Sequence, residues 1–182
     1  INNIKLKRFS HQEGHIGGIL IKEDVSGSFY AFHLSGGTTE ALRCINNRDN
    51  LLIEMVGGSL DISFGQLIDR IGVKLGLSFP CGAEMEKLAI KGEDLRLNID
   101  VRIKDGYFNI SGLENKFIDL IDKGDLKEED ILYTLFVTLG KLILKLIESF
   151  FLKGDEKFII TGGVASNGII RDLLIDSAYK DN

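Results

Sequence analysis

Apolar residues in this chain fall into short runs and helical stripes. Phe29-Tyr30-Ala31-Phe32-His33-Leu34 and Leu51-Leu52-Ile53-Glu54-Met55-Val56 are aromatic and aliphatic runs bounded by Gly, Ser, Asn or Asp, which predicts buried strands near 28–34 and 51–57. Residues 39–46 lie between two turn signals and are expected to return as a hairpin partner, giving a meander. From Leu60 to Leu77, Phe64, Leu67, Ile68, Ile71 and Leu75 recur at helical spacing, and Pro80 and Gly82 are read as the stop. A second helix is expected over about 83–91, followed by a polar strand-and-turn region reaching Tyr107-Phe108-Asn109-Ile110. Asp125 with Glu128 three residues on reads as a capping box. It would open a long core helix near 127–150 on Leu132, Leu135, Phe136, Leu139, Leu142, Ile143, Leu146 and Ile147. Lys157 to Thr161 reads as a buried strand, and Ile169, Leu173 and Leu174 share one face of a last helix. The pattern is α/β, without internal repeats or low-complexity linkers.

At 182 residues and 44% hydrophobic content the chain can bury a sizeable core as one domain or lobe. It opens with Ile1 and a strand-like Ile4 to Phe9, so it is read as starting partway through a longer polypeptide. Cys44 and Cys81 are too few for a disulfide framework or a thiolate zinc site, which points to a reducing, cytoplasmic setting. Lys141, Lys145 and Glu148 interrupt the longest apolar stretch, Ile131 to Phe151, so no membrane role is expected. The net charge of -5 offers no footprint for a phosphate backbone. An RNA substrate would need partner proteins or a further lobe to supply much of its binding.

Two glycine pairs follow predicted strands: Leu34-Ser35-Gly36-Gly37-Thr38-Thr39, and Ile160-Thr161-Gly162-Gly163-Val164-Ala165-Ser166-Asn167 running into a helix. Glycine lets backbone approach a ligand closely, and N–H groups freed at a turn or helix start can cradle phosphate; each pair taken alone is equally an ordinary tight turn. His11 and His15 stand at i and i+4, so on a helix both imidazoles can reach one divalent metal if a third ligand, a carboxylate from elsewhere, joins them. They are otherwise surface or packing residues. Glu13 is not placed as in a His-Glu-x-x-His metalloprotease, and His33, in an apolar strand, reads as a core histidine.

The order of these elements carries more than any one of them. His-x-x-x-His, Ser-Gly-Gly-Thr, Gly57-Gly58-Ser59-Leu60-Asp61 through Gly65 and Asp69 to Phe79-Pro80-Cys81-Gly82, Phe108-Asn109-Ile110-Ser111-Gly112-Leu113, and Gly162-Gly163-Val164-Ala165-Ser166-Asn167 follow in sequence. In this the chain resembles the threonylcarbamoyl transferase family that modifies tRNA adenosine, once described as O-sialoglycoprotein endopeptidases. The resemblance implies an α/β, actin-like ATPase (ribonuclease-H-like) lobe with a mixed sheet flanked by helices, residues 1–182 forming one lobe of a two-lobe protein. It implies an adenine nucleotide or acyl-adenylate ligand, ATP or threonylcarbamoyl-adenylate, contacted by Leu34, Ser35, Gly36, Gly37 and Thr38 at its phosphate or acyl end. Asp69 would hold ribose hydroxyls, Gly82 would lie beside the nucleoside, and Asn167 near base and ribose. Without the resemblance, Asp69 is a helix-surface charge and Asn167 a helix N-terminal residue. It further implies one divalent metal, iron or zinc, on His11 and His15. Asp181 would be the third ligand, matching the first letter of an Asp-Asn-Gly motif that stands nearer to Asn167 here than in the family.

The activity implied is metal-dependent transfer of a threonylcarbamoyl group from its adenylate to the N6 amine of a tRNA adenosine, with tRNA reached through partner proteins and a homo- or hetero-dimer possible. Ile62 and Gln66 stand where the family has carboxylates, Cys81 replaces a glycine and Thr38 a common histidine. These departures suggest a divergent paralogue. They also raise the alternative of a non-catalytic nucleotide-binding partner or regulatory protein. A peptidase is disfavoured, because Cys81 lacks a sequence-evident base and Ser35 sits in a glycine turn.

Overall fold

A computed structural model describes residues 11–20, 25–47, 50–150 and 157–180; within the helices that open and close this span, the side chains of residues 11–13, 15, 19 and 178–180 are not described. The elements are α1 (His11–Leu20), β1 (Gly27–Leu34), β2 (Thr39–Asn46), β3 (Leu51–Ser59), α2 (Phe64–Lys74), α3 (Gly82–Ala89), β4 (Tyr107–Phe108), α4 (Ser111–Lys123), α5 (Glu128–Glu148), β5 (Lys157–Thr161) and α6 (Gly168–Lys180). The sheet runs β4-β3-β2-β1-β5. Strands β1, β2 and β3 form the expected antiparallel meander, while β5 joins β1 and β4 joins β3 in parallel, so the sheet is mixed.

Alternation along β1 and β2 divides the core. Phe32, Leu34 and Ala41 face the larger cluster built with α2 to α6, whereas Phe29, Ala31, Leu42 and Cys44 face the other side, where Ile16 of α1 packs on them. In the larger cluster Phe64 stacks on Phe108 at a centroid distance of 5.6 Å. α5 is the central helix and buries Leu132, Leu135, Phe136, Leu139 and Ile143. Among the described residues no helix is long and apolar enough to cross a membrane.

Two local expectations are corrected, and one element is added. The helix expected from Leu60 to Leu77 occupies only Phe64–Lys74 and ends before Pro80 in a Schellman turn. There Gly76 takes φ +80°, its N–H donates to the Val73 carbonyl, and Leu77 N–H donates to the Gly72 carbonyl at 3.0 Å. Asp125 caps nothing in α5, whose N-cap is Lys127 without a side-chain bond. The capping box is at α2, where Ser63 Oγ accepts from Gln66 N–H at 3.0 Å and Gln66 Oε1 accepts from Ser63 N–H at 3.0 Å. α4 is an element the sequence pattern did not yield. Its first N–H groups are satisfied from far away, by the Asp61 carboxylate, which accepts from Ile110 at 3.0 Å and Ser111 at 2.9 Å.

Candidate functional site

The C-terminal ends of the parallel neighbours β1 and β5 each run into a glycine turn, and a hydrogen bond joins the two turns: Val164 N–H donates to the Leu34 carbonyl at 3.1 Å. Leu34 itself is a fully buried core residue. Inside the first turn the Ser35 hydroxyl accepts from Thr38 N–H at 3.0 Å and from Gly37 N–H at 3.3 Å. Those two N–H groups therefore already have a partner, and a phosphate using them would displace the serine hydroxyl. The turn is also fastened to α2, because Ser63 Oγ donates to the Gly36 carbonyl at 2.7 Å and Thr39 Oγ1 accepts from Phe64 N–H at 2.9 Å. A side chain on Gly65 would strike Gly36, so this close approach requires glycine.

On the next turn of α2, Asp69 Oδ1 accepts from Cys81 N–H at 2.8 Å, which fixes the carboxylate beside the start of α3. Cys81 is buried, and burial, followed by the negative charges of Asp69 and Glu84, pushes its thiol pKa up. It stays protonated at neutral pH and is no nucleophile. At the start of α6, Asn167 is 6% exposed and its Oδ1 accepts from Ile170 N–H at 3.1 Å, while Glu86 Oε1 of α3 accepts from Gly168 N–H at 2.8 Å. Asn167 is thus an N-cap of α6.

Gly36, Asp69, Gly82, Glu86, Gly163 and Asn167 line one cleft of about 330 Å3. The sequence expectations therefore meet here in Gly36, Asp69, Gly82 and Asn167. Gly37 instead lines an adjoining hollow of about 720 Å3, which shares Gly36 and Asp69 and is bordered by Gln66 and by Phe79, 75% exposed. Leu34, Ser35 and Thr38 line neither space. Glu86 is the cleft residue that the sequence reading passed over. Its signal, an acid one turn into a helix that follows Pro-Cys-Gly, is indistinguishable from a surface charge until α6 is brought against it.

His11 and His15 both lie on α1, one turn apart, but their side chains are not described, and Asp181 lies outside the described residues. Among the described residues no group of three His, Cys, Asp or Glu side chains could hold a metal ion. On the α1-covered side of the sheet, Glu40 Oε2 is buried and has no hydrogen-bond partner among the described residues. A carboxylate in that condition fits a cation. His33 is buried directly across from it in the β1–β2 register.

Ile62 and Gln66, two of the four departures, are absorbed into the scaffold. Ile62 is 9% exposed in the larger core, and Gln66 completes the α2 capping box. Asp61 is held ionised. Burial works against its charge, but the N–H groups of Ile110, Ser111 and Ile62 outweigh it and set the carboxyl well below the usual carboxylate range.

Comparison with known proteins places this geometry. A T. kodakarensis HypF crystal structure superposes with a TM-score of 0.76 at 15% identity, over 98% of this chain and 33% of that one. The activator of the 2-hydroxyisocaproyl-CoA dehydratase from Clostridium difficile superposes with a TM-score of 0.51 at 14% identity, over 89% and 55%. The fold shared with these structures is α/β, a mixed sheet flanked by helices. In sequence the chain is 29% identical over 185 residues to a tRNA N6-adenosine threonylcarbamoyltransferase of Prochlorococcus marinus, covering 93% of this chain and 51% of that protein. It is 36% identical over 151 residues to that of Nanoarchaeum equitans, covering 82% and 46%. It is 31% identical over 174 residues to a probable bifunctional tRNA threonylcarbamoyladenosine biosynthesis protein of Thermoplasma acidophilum, covering 94% and 31%. The chain thus spans about half the length, or less, of the curated relatives it matches. The family model for tRNA N6-adenosine threonylcarbamoyltransferase matches residues 2–182, and the chain belongs to that family.

Proposed function

We propose that residues 1–182 form one lobe of a two-lobe enzyme that binds ATP or threonylcarbamoyl-adenylate and transfers the threonylcarbamoyl group to the N6 amine of a tRNA adenosine. The observation that carries this reading is the convergence of Gly36, Asp69, Gly82 and Asn167 on one cleft. Asp69 has one oxygen bound to Cys81 N–H, and the other serves the ribose hydroxyls. Gly82, at the first turn of α3, leaves room for a flat ring, and the Asn167 amide donates to base or ribose. The Ser35 to Thr38 turn, tied to Val164 through Leu34, takes the phosphate or acyl end once the Ser35 hydroxyl gives way.

His11 and His15 hold one divalent cation, iron or zinc, with Asp181 as a further ligand. When bound, such an ion supplies Lewis-acid polarisation and a template for the acyl group. The chain's net charge of -5 leaves tRNA binding to partner proteins, in a homo- or hetero-dimeric assembly in the cytoplasm. The alternative of a non-catalytic nucleotide-binding paralogue drew on Ile62 and Gln66. Both have structural work in the scaffold, so they lend it no separate support.

The test is calorimetric titration of the parent and Asp69→Ala with ATP and a non-reactive threonylcarbamoyl-adenylate analogue. Loss of the ribose contact weakens binding by about 1–3 kcal/mol. Equal affinity in a folded Asp69→Ala protein removes this residue from the ligand site.

A further inference from the structure

Residues 95–104 alternate strictly between half-buried and exposed positions, yet they lie outside the sheet. Leu95, Ile99, Val101 and Ile103 pack against the larger core, while Arg96, Asn98, Asp100, Arg102 and Lys104 are exposed. A burial period of two is that of an extended chain lying on a surface. Its first backbone ladder contact comes at Lys104, which bridges Tyr107. Among the described residues, no hydrogen bond uses the N–H groups of residues 97–103.

The bonds that the segment does make give its orientation. Asn98 O accepts from Lys116 of α4 at 3.4 Å, whereas Val101 O accepts from Lys145 of α5 at 2.9 Å. Leu95 N–H also turns to α5, donating to Thr134 Oγ1 at 2.9 Å. Residues an odd number apart direct their backbone groups to opposite edges of an extended chain. The N–H groups of Asn98, Asp100 and Arg102 therefore face α4, and those of Ile99, Val101 and Ile103 face α5.

Along the α4 edge runs a groove of about 470 Å3, with Asn98, Asp100 and Arg102 on one wall and Gly112 and Lys116 of α4 on the other. The α4 wall is open at Gly112, where a side chain would meet nothing within 4 Å. A strand edge with free donors beside a helix is the geometry in which an extended peptide is added as one more strand. Charge defines the peptide. The Asp100 carboxylate is drawn to the opposite edge by Lys145 at 2.6 Å. Arg102 and Lys116 line the groove with no carboxylate partner among the described residues, on a chain whose net charge is -5.

We infer that the groove between residues 98–102 and α4 binds an extended acidic segment of a partner protein by strand addition. Peptide carbonyls accept from the Asn98, Asp100 and Arg102 N–H groups, and peptide carboxylates meet Arg102 and Lys116. None of the groove residues lines the ligand cleft or its adjoining hollow, so the surface is separate from the proposed nucleotide site.

The probe is a blocked peptide of about seven residues alternating valine and glutamate, titrated by NMR into the full 182-residue chain, with a valine–lysine peptide as control. Saturable binding of the glutamate peptide is expected, slowing amide exchange at Asn98, Asp100 and Arg102 and leaving Ile99 and Val101 unchanged. Arg102→Glu/Lys116→Glu should weaken it by about fivefold or more and admit the lysine peptide instead. Gly112→Leu fills the groove and should abolish binding; it decides the matter should the charge-swapped protein fail to fold. No binding by the parent, equal binding of the lysine peptide, protection confined to the odd-numbered residues, or unaltered binding in Gly112→Leu overturns the inference. Two rival occupants are read in the same spectra. Protection of the three amides that grows with protein concentration, without peptide, assigns the edge to a second copy of the chain. Protection by oligouridylate and not by the peptide assigns Arg102 and Lys116 to an RNA backbone, and either result ends the peptide reading.

Discussion

The Val164 N–H donates to the Leu34 carbonyl at 3.1 Å, and this bond holds the two glycine turns together at the ends of β5 and β1. It depends on Gly162, which takes φ +107° and whose missing side chain would otherwise run into the Leu34 carbonyl and come within 3.0 Å of Ser35 N. Gly162→Ala therefore combines an unfavourable backbone region with a backbone collision, and a loss of at least about 2 kcal/mol in urea unfolding is expected. Adenylate affinity should fall with it, because both walls of the cleft are hung from this contact. Parent-like stability would mean that the turns are not fixed to one another.

Asp61 predicts a pH signature. Its carboxyl is held well below the usual range by the N–H groups at the start of α4, so it contributes stability that is fully present above the unfolded value near pH 4 and is lost as pH falls through the folded value. Asp61→Ala should cost about 1–2 kcal/mol at pH 7, the size of a lost helix cap. The gap between parent and variant should narrow as the buffer is taken below about pH 4. A gap that is constant from pH 7 to pH 2.5 in chemical denaturation would show that the charge plays no part.

Gly72 and Cys81 should be energetically coupled. A side chain at Gly72 would meet Cys81, with Sγ only 2.7 Å away and Met85 Sδ at 2.8 Å. Overpacking of this kind costs about 1–3 kcal/mol. Cys81→Gly removes the side chain that this contact strikes, so in the Gly72→Ala background it should recover much of the loss, with a coupling of at least about 1 kcal/mol. Additive losses in the double-mutant cycle would place the strain elsewhere.

These contacts also explain what the sequence conveyed and what it withheld. β1, the body of α2 and α5 were legible because their apolar runs or stripes are buried, whereas β3 and β5, expected as buried strands, form where expected but leave Leu52, Met55 and Phe158 exposed. The meeting of Gly36, Asp69, Gly82 and Asn167 in one cleft follows the spacing of the motifs that carry the resemblance. α4 was not legible, although Leu113 and Phe117 are buried on it, because its N-cap is Ile110 and the group that satisfies its first turn is Asp61, about fifty residues earlier. Glu86 was missed for the same reason, since its carboxylate meets Gly168 across 82 residues. The Ser63 to Gln66 box was readable in the same pattern that suggested Asp125 and Glu128; the difference is that Ser63 is buried against the turn it caps, whereas Asp125 is exposed.

Ser63 joins the helix cap to the proposed ligand loop, and its removal should be felt in both. The residue is 4% exposed, and its hydroxyl accepts from Gln66 N–H while donating to the Gly36 carbonyl at 2.7 Å. Ser63→Ala takes away the α2 cap, worth about 0.5–2 kcal/mol. It also frees the Gly36 end of the turn, so the affinity for ATP or the adenylate analogue should drop severalfold beyond any change in the folded fraction. Gln66→Glu is the contrasting substitution, because it keeps the reciprocal bond to Ser63 N–H and adds a negative charge in the first turn of α2, where the helix dipole favours it by about 0.3–1 kcal/mol. The two variants should therefore move in opposite directions in thermal unfolding at neutral pH. Calorimetry on the folded Ser63→Ala protein separates the effects: a lowered melting temperature with adenylate affinity within twofold of the parent would show that the Gly36 turn is positioned by its bond network to Val164 and Thr38 rather than by Ser63.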